Sequence, residues 1–487
     1  MNKTFIAADL GAGSGRTIAG RYDGGRIALE VINRFDNVPS ELGGHFYWNH
    51  QALFGSIRAG LAKAAATEGE IASVGVDSWG VDYALLDKGG RLLGLPYMYR
   101  DSRNVGLCDA VCERVGRREI YNRTGIQFMD INTLFQLEAE SRESDSLLPK
   151  ADRLLHTPDL MNYWLCGVKA NEATMASTGQ TINLKTRSWD TELLKAVGAP
   201  LHLFGEIIQP GVRLAPVSCV PGLKAPVVTV GSHDTASAVA AVPAPKAGHW
   251  AYLATGTWAL MGLEITEPII NDTTYGYSYT HEGGVGGTFR FLKNITGMWI
   301  YQELRRAWKE AGEDIAFDDL TQLAGKEKPL VSLINPNDPV FASPGNMPQT
   351  MADYCTKTGQ PVPQSKGAFV RCALESMVMC YREVWLQLHA ITGIRRDGLN
   401  MIGGGVRNAL HCQMTADALG APVTCGPTEG AAMGNILAQM LASGDIRDIA
   451  QGRDIIRAST ELDVYTPRDT APWDEAYSRW QTIKARI

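Results

Sequence analysis

The chain opens on an apolar run that ends in a carboxylate and passes at once into three glycines and an arginine: Asp9-Leu10-Gly11-Ala12-Gly13-Ser14-Gly15-Arg16. Glycines at alternate positions let backbone N–H groups approach an anion without interference from Cβ atoms. Ala12, Gly13, Ser14, Gly15 and Arg16 are therefore candidates for holding phosphate, with Arg16 donating to its oxygens. Asp9, at a strand end, can hold a Mg2+ directly or through water. The spacing is G-x-G-x-G and leads into a hairpin, so it is not a dinucleotide fingerprint, and no G-x-x-x-x-G-K-[ST] occurs. Taken alone, the octet fits a plain β-turn between two strands at least as well.

A second constellation is Gly231-Ser232-His233-Asp234-Thr235-Ala236-Ser237-Ala238, which follows the apolar Val227–Val230 and opens a helix of small residues. Asp234 there can be a helix cap, worth about 1 kcal/mol. It can equally be a general base, since an ordinary ionised carboxylate suffices to accept a hydroxyl proton in phosphoryl transfer. Thr255-Gly256-Thr257 is another small-residue turn, able to clamp phosphates or simply to reverse the chain. Gly403-Gly404-Gly405, between a strand and a helix, would bring backbone flat against a ligand such as an adenine ring. Asp77-Ser78-Trp79-Gly80-Val81-Asp82-Tyr83 sets two acids and aromatic rings around a glycine, which suits a polyhydroxylated ligand. That segment and Tyr99-Arg100-Asp101-Ser102-Arg103 also fit satisfied polar networks at a domain edge.

The elements needed to position these residues follow from pattern. Thr4–Asp9 is a short apolar strand, and Arg16–Tyr22 and Arg26–Phe35 flank Asp23-Gly24-Gly25, a hairpin signal. Asn49–Thr67 spaces Leu53, Phe54, Ile57, Leu61 and Ala64 along one helix face, and Ile71–Asp77 supplies a buried strand. This β-β-β-α-β order is mixed, unlike a repeating βαβ unit. A similar sequence restarts with strands Trp250–Ala254 and Trp258–Ile265. Strand Leu399–Ile402, helix Asn408–Leu419, strand Pro422–Cys425 and helix Gly430–Leu441 follow. The repetition predicts duplicated α/β domains around a cleft, 1–243 and 244–487, joined near Pro243, Pro245 and Gly248. Pro339–Gln364 reads as a surface excursion with a short helix in it. Pro472–Ile487 reads as a helix that can pack back on the N-terminal domain.

Bulk properties narrow the class. At roughly 100–200 residues per domain, 487 residues make two or three domains. A chain 45% hydrophobic and 20% charged has a globular composition, with a core that needs no disulfide or metal. The net charge is −6 and no basic stripe occurs, which argues against nucleic acid. No signal peptide and no ~18-residue apolar stretch is found, so a cytoplasmic protein without membrane contact is expected. Nine cysteines without a CxxC suggest buried, idle thiols.

Together these segments resemble the FGGY carbohydrate kinases, and within them the group acting on L-rhamnulose. The resemblance is carried by DLGAGSGR (9–16), DSWGVDY (77–83), YRDSR (99–103), GIQF (125–128), SHDTASAV (232–239), GTWALMG (256–262), LKNITGMW (292–299) and GGGVRNALHCQMTADALG (403–420), in the family's order over almost the whole chain. It implies two actin-like (ribonuclease-H-like) domains with ATP and sugar meeting between them, and closure that excludes water. It implies transfer of the γ-phosphate of ATP, with Mg2+, to the C1 hydroxyl of L-rhamnulose. By matched position, Asp234 resembles the catalytic base. Ala12 to Arg16, Thr257, Gln302 and Gly404 match nucleotide contacts; Gly80, His233, Asp234, Thr235 and Asn294 match sugar contacts. Gly13 stands where a relative carries serine, which removes a hydroxyl and keeps the backbone donor. Only Cys355 and Cys372 match a disulfide pair of that relative. Rival expectations are a kinase for another ketose such as L-fuculose, a sugar sensor without turnover, and an actin- or chaperone-like ATPase. The sequence slightly favours a monomer.

Overall fold

The computed structural model describes residues 3–486. The chain divides into two compact units: Met1–Ala241, Glu264–Phe291 and Gly430–Thr460 form the first, and Val242–Leu263, Leu292–Glu429 and Glu461–Ile487 the second.

In the first unit the opening apolar run is strand β1 (Lys3–Leu10), followed by β2 (Ser14–Tyr22) and β3 (Ile27–Asp36). The three are antiparallel neighbours. The β2–β3 turn forms where expected: Asp23 Oδ1 accepts from Gly25 N and Arg26 N at 2.8 Å each, and Gly24 has φ 107°. Ile71–Ser78 pairs parallel to β1, Pro226–Val228 parallel to Ile71–Ser78, and Arg213–Pro216 closes the sheet antiparallel. A short hairpin, Ser40–Leu42 with His45–Tyr47, follows β3.

β1 is buried on both faces because its successive side chains enter two different cores. Ile6, Ala8 and Leu10 meet Leu53, Ile57 and Leu61 of helix α1 (His50–Thr67). Phe5, Ala7 and Ile18 meet Ile436, Leu437 and Met440 of the Gly430–Ser443 helix. α1 starts where Asn49 accepts from Ala52 N at 3.0 Å. Its expected apolar face is buried, except that Phe54 is half-buried against the Trp164 ring.

The second unit repeats the arrangement of strands. Trp250–Thr255 and Trp258–Ile265 form an antiparallel hairpin, and Gly398–Ile402 lies parallel on the other side of the first strand. Val423–Cys425 continues the sheet in parallel and Asp463–Tyr465 ends it antiparallel. Met347–Lys357 is the short helix of the Pro-rich excursion. The 27-residue Lys366–Thr392 helix, which the sequence pattern left unassigned, supplies much of the core. The C-terminal helix spans Ala471–Lys484 and packs within this unit, with Trp480 Nε1 donating to Ile334 O at 2.7 Å. Ile487 of the expected helix, like Met1 and Asn2, lies outside the described residues. All nine cysteines are free thiols, Cys355 and Cys372 included. Among the described residues no helix is long and apolar enough to cross a membrane.

Candidate active site

In the first unit, Leu10 and Ser14 bound a three-residue turn that Gly11 N closes by donating to Ser14 O at 2.8 Å. Asn37 braces the turn from outside, its Nδ2 donating to Gly11 O and its N to Gly13 O. Among the described residues, Ala12 N–H and Gly13 N–H donate to no backbone carbonyl, as an anion cradle requires. The glycines are not equivalent. A Cβ on Gly15 would lie 2.3 Å from the Phe35 ring, whereas one on Gly13 would meet nothing within 4 Å.

Asp9 faces Arg16 across the β1–β2 ladder and Asp77 across the parallel pair. Arg16 Nη2 lies 2.6 Å from Asp9 Oδ2, so each of these two candidate phosphate or metal groups is oriented by the other. Asp77 is fully buried and takes a 2.5 Å hydrogen bond from Asn435 Nδ2. Gln439 Nε2 supports Asn435 Oδ1 at 2.7 Å and donates to Ile6 O, while Ser73 Oγ donates to Gln439 Oε1. Burial lifts the Asp77 carboxyl well above the usual carboxylate range; the charges of Asp9 and Asp234 add to this, against Asn435 and Arg16.

Among the described residues no three His, Cys, Asp or Glu side chains cluster to cage a metal. Asp9, with Asp77 beside it on the next strand, instead fits a hydrated Mg2+ held by one or two carboxylates and by substrate phosphates.

The two acids of the Asp77–Tyr83 segment have separate fates. Asp82 is enclosed: both the Trp48 and Trp79 Nε1 groups donate to its Oδ2, and Gln136 Nε2 donates to its Oδ1 at 3.1 Å. It is a satisfied network residue rather than a free sugar ligand. Val81 takes a left-handed φ of 68°, which costs a β-branched residue about 1–3 kcal/mol. It is held there by Thr178 Oγ1, which accepts from Val81 N, and by Thr133 Oγ1, which donates to Val81 O. Gly80 lies against the same threonine; a Cβ on it would come within 3.2 Å of the Thr178 side chain. The Tyr99–Arg103 segment is also largely a structural network. Asp101 accepts from Phe46 N and Arg103 N and meets His45, and Arg103 pairs with Glu140 at 2.9 Å.

Asp234 is the first residue of the Asp234–Ala240 helix, not its cap; His233 holds that position and makes no side-chain capping bond. The Asp234 carboxylate accepts from Thr235 Oγ1 at 3.0 Å and lies 3.5 Å from His233 Nε2, with 30% of its side chain exposed. It therefore has room for a hydroxyl. Ser232 N donates to the buried Glu172 and His233 N to Thr174 Oγ1, which pin the loop from beneath.

The other face of the His233 ring meets two residues absent from the sequence candidates. Arg290 Nη2 lies 2.9 Å from His233 Nδ1, and Glu282 Oε2 lies 2.9 Å from the same guanidinium nitrogen. The available signal was a lone arginine between Phe289 and Phe291; the structure buries it completely in the Phe289–Thr296 strand.

In the second unit, Gly256 N donates to Trp258 O to close the Thr255–Thr257 turn, and Gly297 N donates to Thr257 O. Thr257 Oγ1 donates to Gln302 Oε1 at 3.2 Å, so these two nucleotide candidates are in contact. Gly403 has φ 90°; a Cβ there would lie 2.7 Å from Thr255 O, and one on Gly405 would lie 2.4 Å from Thr255 Oγ1. The triple-glycine turn is thus pressed onto Thr255, and Gly404 faces open space, with nothing within 4 Å of its Cβ position. Asn294 is half-buried near the end of the Phe289–Thr296 strand.

A model of the FGGY carbohydrate kinase N-terminal domain matches residues 4–240, and one of the C-terminal domain matches residues 251–443. The chain belongs to the FGGY family of carbohydrate kinases. It is 46% identical over 482 residues to a rhamnulokinase of Bacteroides thetaiotaomicron, covering 98% of each chain. A rhamnulokinase of Pectobacterium atrosepticum is 40% identical, with 99% of this chain and 96% of that one covered. A third, of Bacillus subtilis, is 38% identical with 96% of each covered. Solved structures of other kinases share the fold at low identity. A ligand-bound xylulose kinase of Lactobacillus acidophilus superposes with TM-score 0.80 at 15% identity over 99% of this chain and 98% of that one. A Plasmodium falciparum glycerol kinase with ADP gives 0.80 at 14% identity over the same shares. Membership makes this FGGY chain an ATP-dependent sugar kinase with the two-domain fold of those enzymes.

Proposed function

We propose that the chain transfers the γ-phosphate of ATP to the C1 hydroxyl of L-rhamnulose, giving L-rhamnulose 1-phosphate and ADP. The observation that carries the substrate is the 46% identity to a rhamnulokinase across 98% of both chains. The chemistry rests on Asp234, whose carboxylate is released from capping and partly open beside His233.

Asp234 takes the proton of the C1 hydroxyl as its oxygen attacks the γ-phosphorus, and the bond from phosphorus to the β,γ-bridging oxygen breaks to release ADP. His233, Thr235, Gly80 and Asn294 orient the sugar. Ala12 to Arg16, Thr257, Gln302 and Gly404 are the nucleotide contacts of this reading. Asp9 would hold a Mg2+ brought with the nucleotide, and that ion would supply charge neutralisation for the transferring phosphate. The same reading has the enzyme act in the cytoplasm and slightly favours a monomer.

Sugar-stimulated ADP release tests this. L-rhamnulose is expected to raise ADP release far above that with no sugar, and above L-fuculose. A higher rate with L-fuculose would reassign the substrate, and sugar-independent hydrolysis would indicate an ATPase. Asp234→Asn is expected to lower turnover by about 10²–10⁴-fold with ATP binding retained; near-normal turnover would remove Asp234 as base.

A further inference from the structure

We infer that Arg290 is a positioning residue that locks the His233 ring in the tautomer carrying its proton on Nε2. Arg290 lies in the Phe289–Thr296 strand with its side chain wholly buried, and its Nε donates to Gly283 O at 2.9 Å, which fixes the guanidinium plane. Its Nη2 meets His233 Nδ1 at 2.9 Å in hydrogen-bonding alignment. A guanidinium has donors only, so Nδ1 must accept. In a neutral imidazole the other nitrogen then carries the hydrogen.

The competing arrangement is Nδ1–H donating to Glu282, whose Oε2 is 3.2 Å from Nδ1. That carboxylate oxygen lacks an aligned hydrogen-bond partner, and a hydrogen on Nδ1 would face an Arg290 N–H at 2.9 Å. Glu282 serves instead as counter-charge. Burial alone would raise its carboxyl, but chiefly the charge of Arg290 holds it below the usual range.

The consequence lies on the other side of the ring. Nε2 is 3.5 Å from Asp234 Oδ1. With a hydrogen there, His233 donates to the carboxylate or to a sugar oxygen beside it. A bare Nε2 would compete with Asp234 for the hydroxyl proton. Arg290 thereby keeps His233 a donor and leaves Asp234 the base, a consequence that rests on the proposed kinase reaction; the tautomer itself does not.

Long-range proton–nitrogen NMR on the full chain, labelled with 15N-histidine, reads the tautomer directly, with His233→Gln identifying the ring. The expected wild-type spectrum has a protonated Nε2 and a lone-pair Nδ1. A protonated Nδ1 overturns the inference, whether or not any variant folds. In Arg290→Met the hydrogen is expected to move to Nδ1, toward Glu282, and kcat to fall about tenfold or more, with KM for ATP within about twofold. Arg290→Lys, which still donates, is expected to recover the wild-type tautomer. An unchanged tautomer in Arg290→Met also overturns the inference. Failure of sugar to stimulate ADP release in the wild type would sink the kinase reading and leave the tautomer assignment standing.

Discussion

Asp82 is the residue at which burial and hydrogen bonding oppose each other most directly. Burial pushes its carboxyl up to about 7, against hydrogen bonds from Trp79, Trp48 and Gln136 that favour the charged form. Between about pH 4 and 7 the folded chain then holds a proton that the unfolded chain has released, so this group's contribution to stability falls across that window and is level above it. The shift corresponds to a decline on the order of 4 kcal/mol. Asp82→Asn, uncharged throughout, is expected to flatten the wild-type fall in urea-unfolding free energy between those pH values; identical slopes would contradict the assignment. Glu172 and Glu375 are also raised to about 7 by burial, and they remain in both proteins, so the difference between slopes isolates Asp82. At this scale the sequence showed which residue types could act, but not their partners. Asp77 and Asp82 look alike in DSWGVDY, and the fold gives one an asparagine and the other two indoles.

Secondary elements in the first unit meet at glycines, and the pattern of small residues in Gly430–Ser443 has a steric cause. A Cβ on Gly434 would lie 1.7 Å from Ser237 O, backbone of the Asp234–Ala240 helix. Neither helix can yield by rotating a side chain. Gly434→Ala is expected to destabilise by about 3 kcal/mol or more, the upper end for overpacking, and to lower activity because the displaced helix begins at Asp234. Gly55→Ala in α1, at an exposed position with nothing within 4 Å, is the control and is expected to stabilise by about 0.5–1 kcal/mol. Denaturant midpoints of the two variants, moving in opposite directions, check both claims. Strands and turns were legible because their signals are local: Asp23-Gly24-Gly25 needs only its own side chain and a left-handed glycine to reverse the chain. The Lys366–Thr392 helix was not, because it is buried on so many sides that its apolar residues show no single stripe.

Over the whole molecule, the order of the chain and the order of its cores differ. The N-terminal family match ends at residue 240, yet the first unit also needs Glu264–Phe291 and Gly430–Thr460. One face of β1 has its core from that last segment, where Phe5, Ala7 and Ile18 pack on Ile436, Leu437, Met440 and Ile456. Arg290 and Glu282 also lie outside the first 241 residues. A fragment ending at Ala241 would expose that face of the sheet and leave Asp77 buried without Asn435. It is expected to show no cooperative thermal transition under conditions in which the full chain does. A sharp transition in the fragment near that of the full chain would show that the segment folds alone.

The sequence by itself determined the glycine-rich turns, the hairpins they close and which residues are candidates for handling phosphate and a hydroxyl proton. Each of these is written in a few consecutive residues, where φ preference, Cβ bulk and side-chain chemistry act directly. Only the tertiary structure decided that Asp234 is free of capping, that Asp9 and Arg16 orient each other, and that His233 is backed by Arg290 and Glu282. Those outcomes depend on partners brought together by strand pairing and helix packing: Arg290 is 57 residues from His233, and Asn435 is 358 from Asp77. No local periodicity encodes such distances; they follow from which buried polar atoms are left to satisfy one another once the sheets are packed.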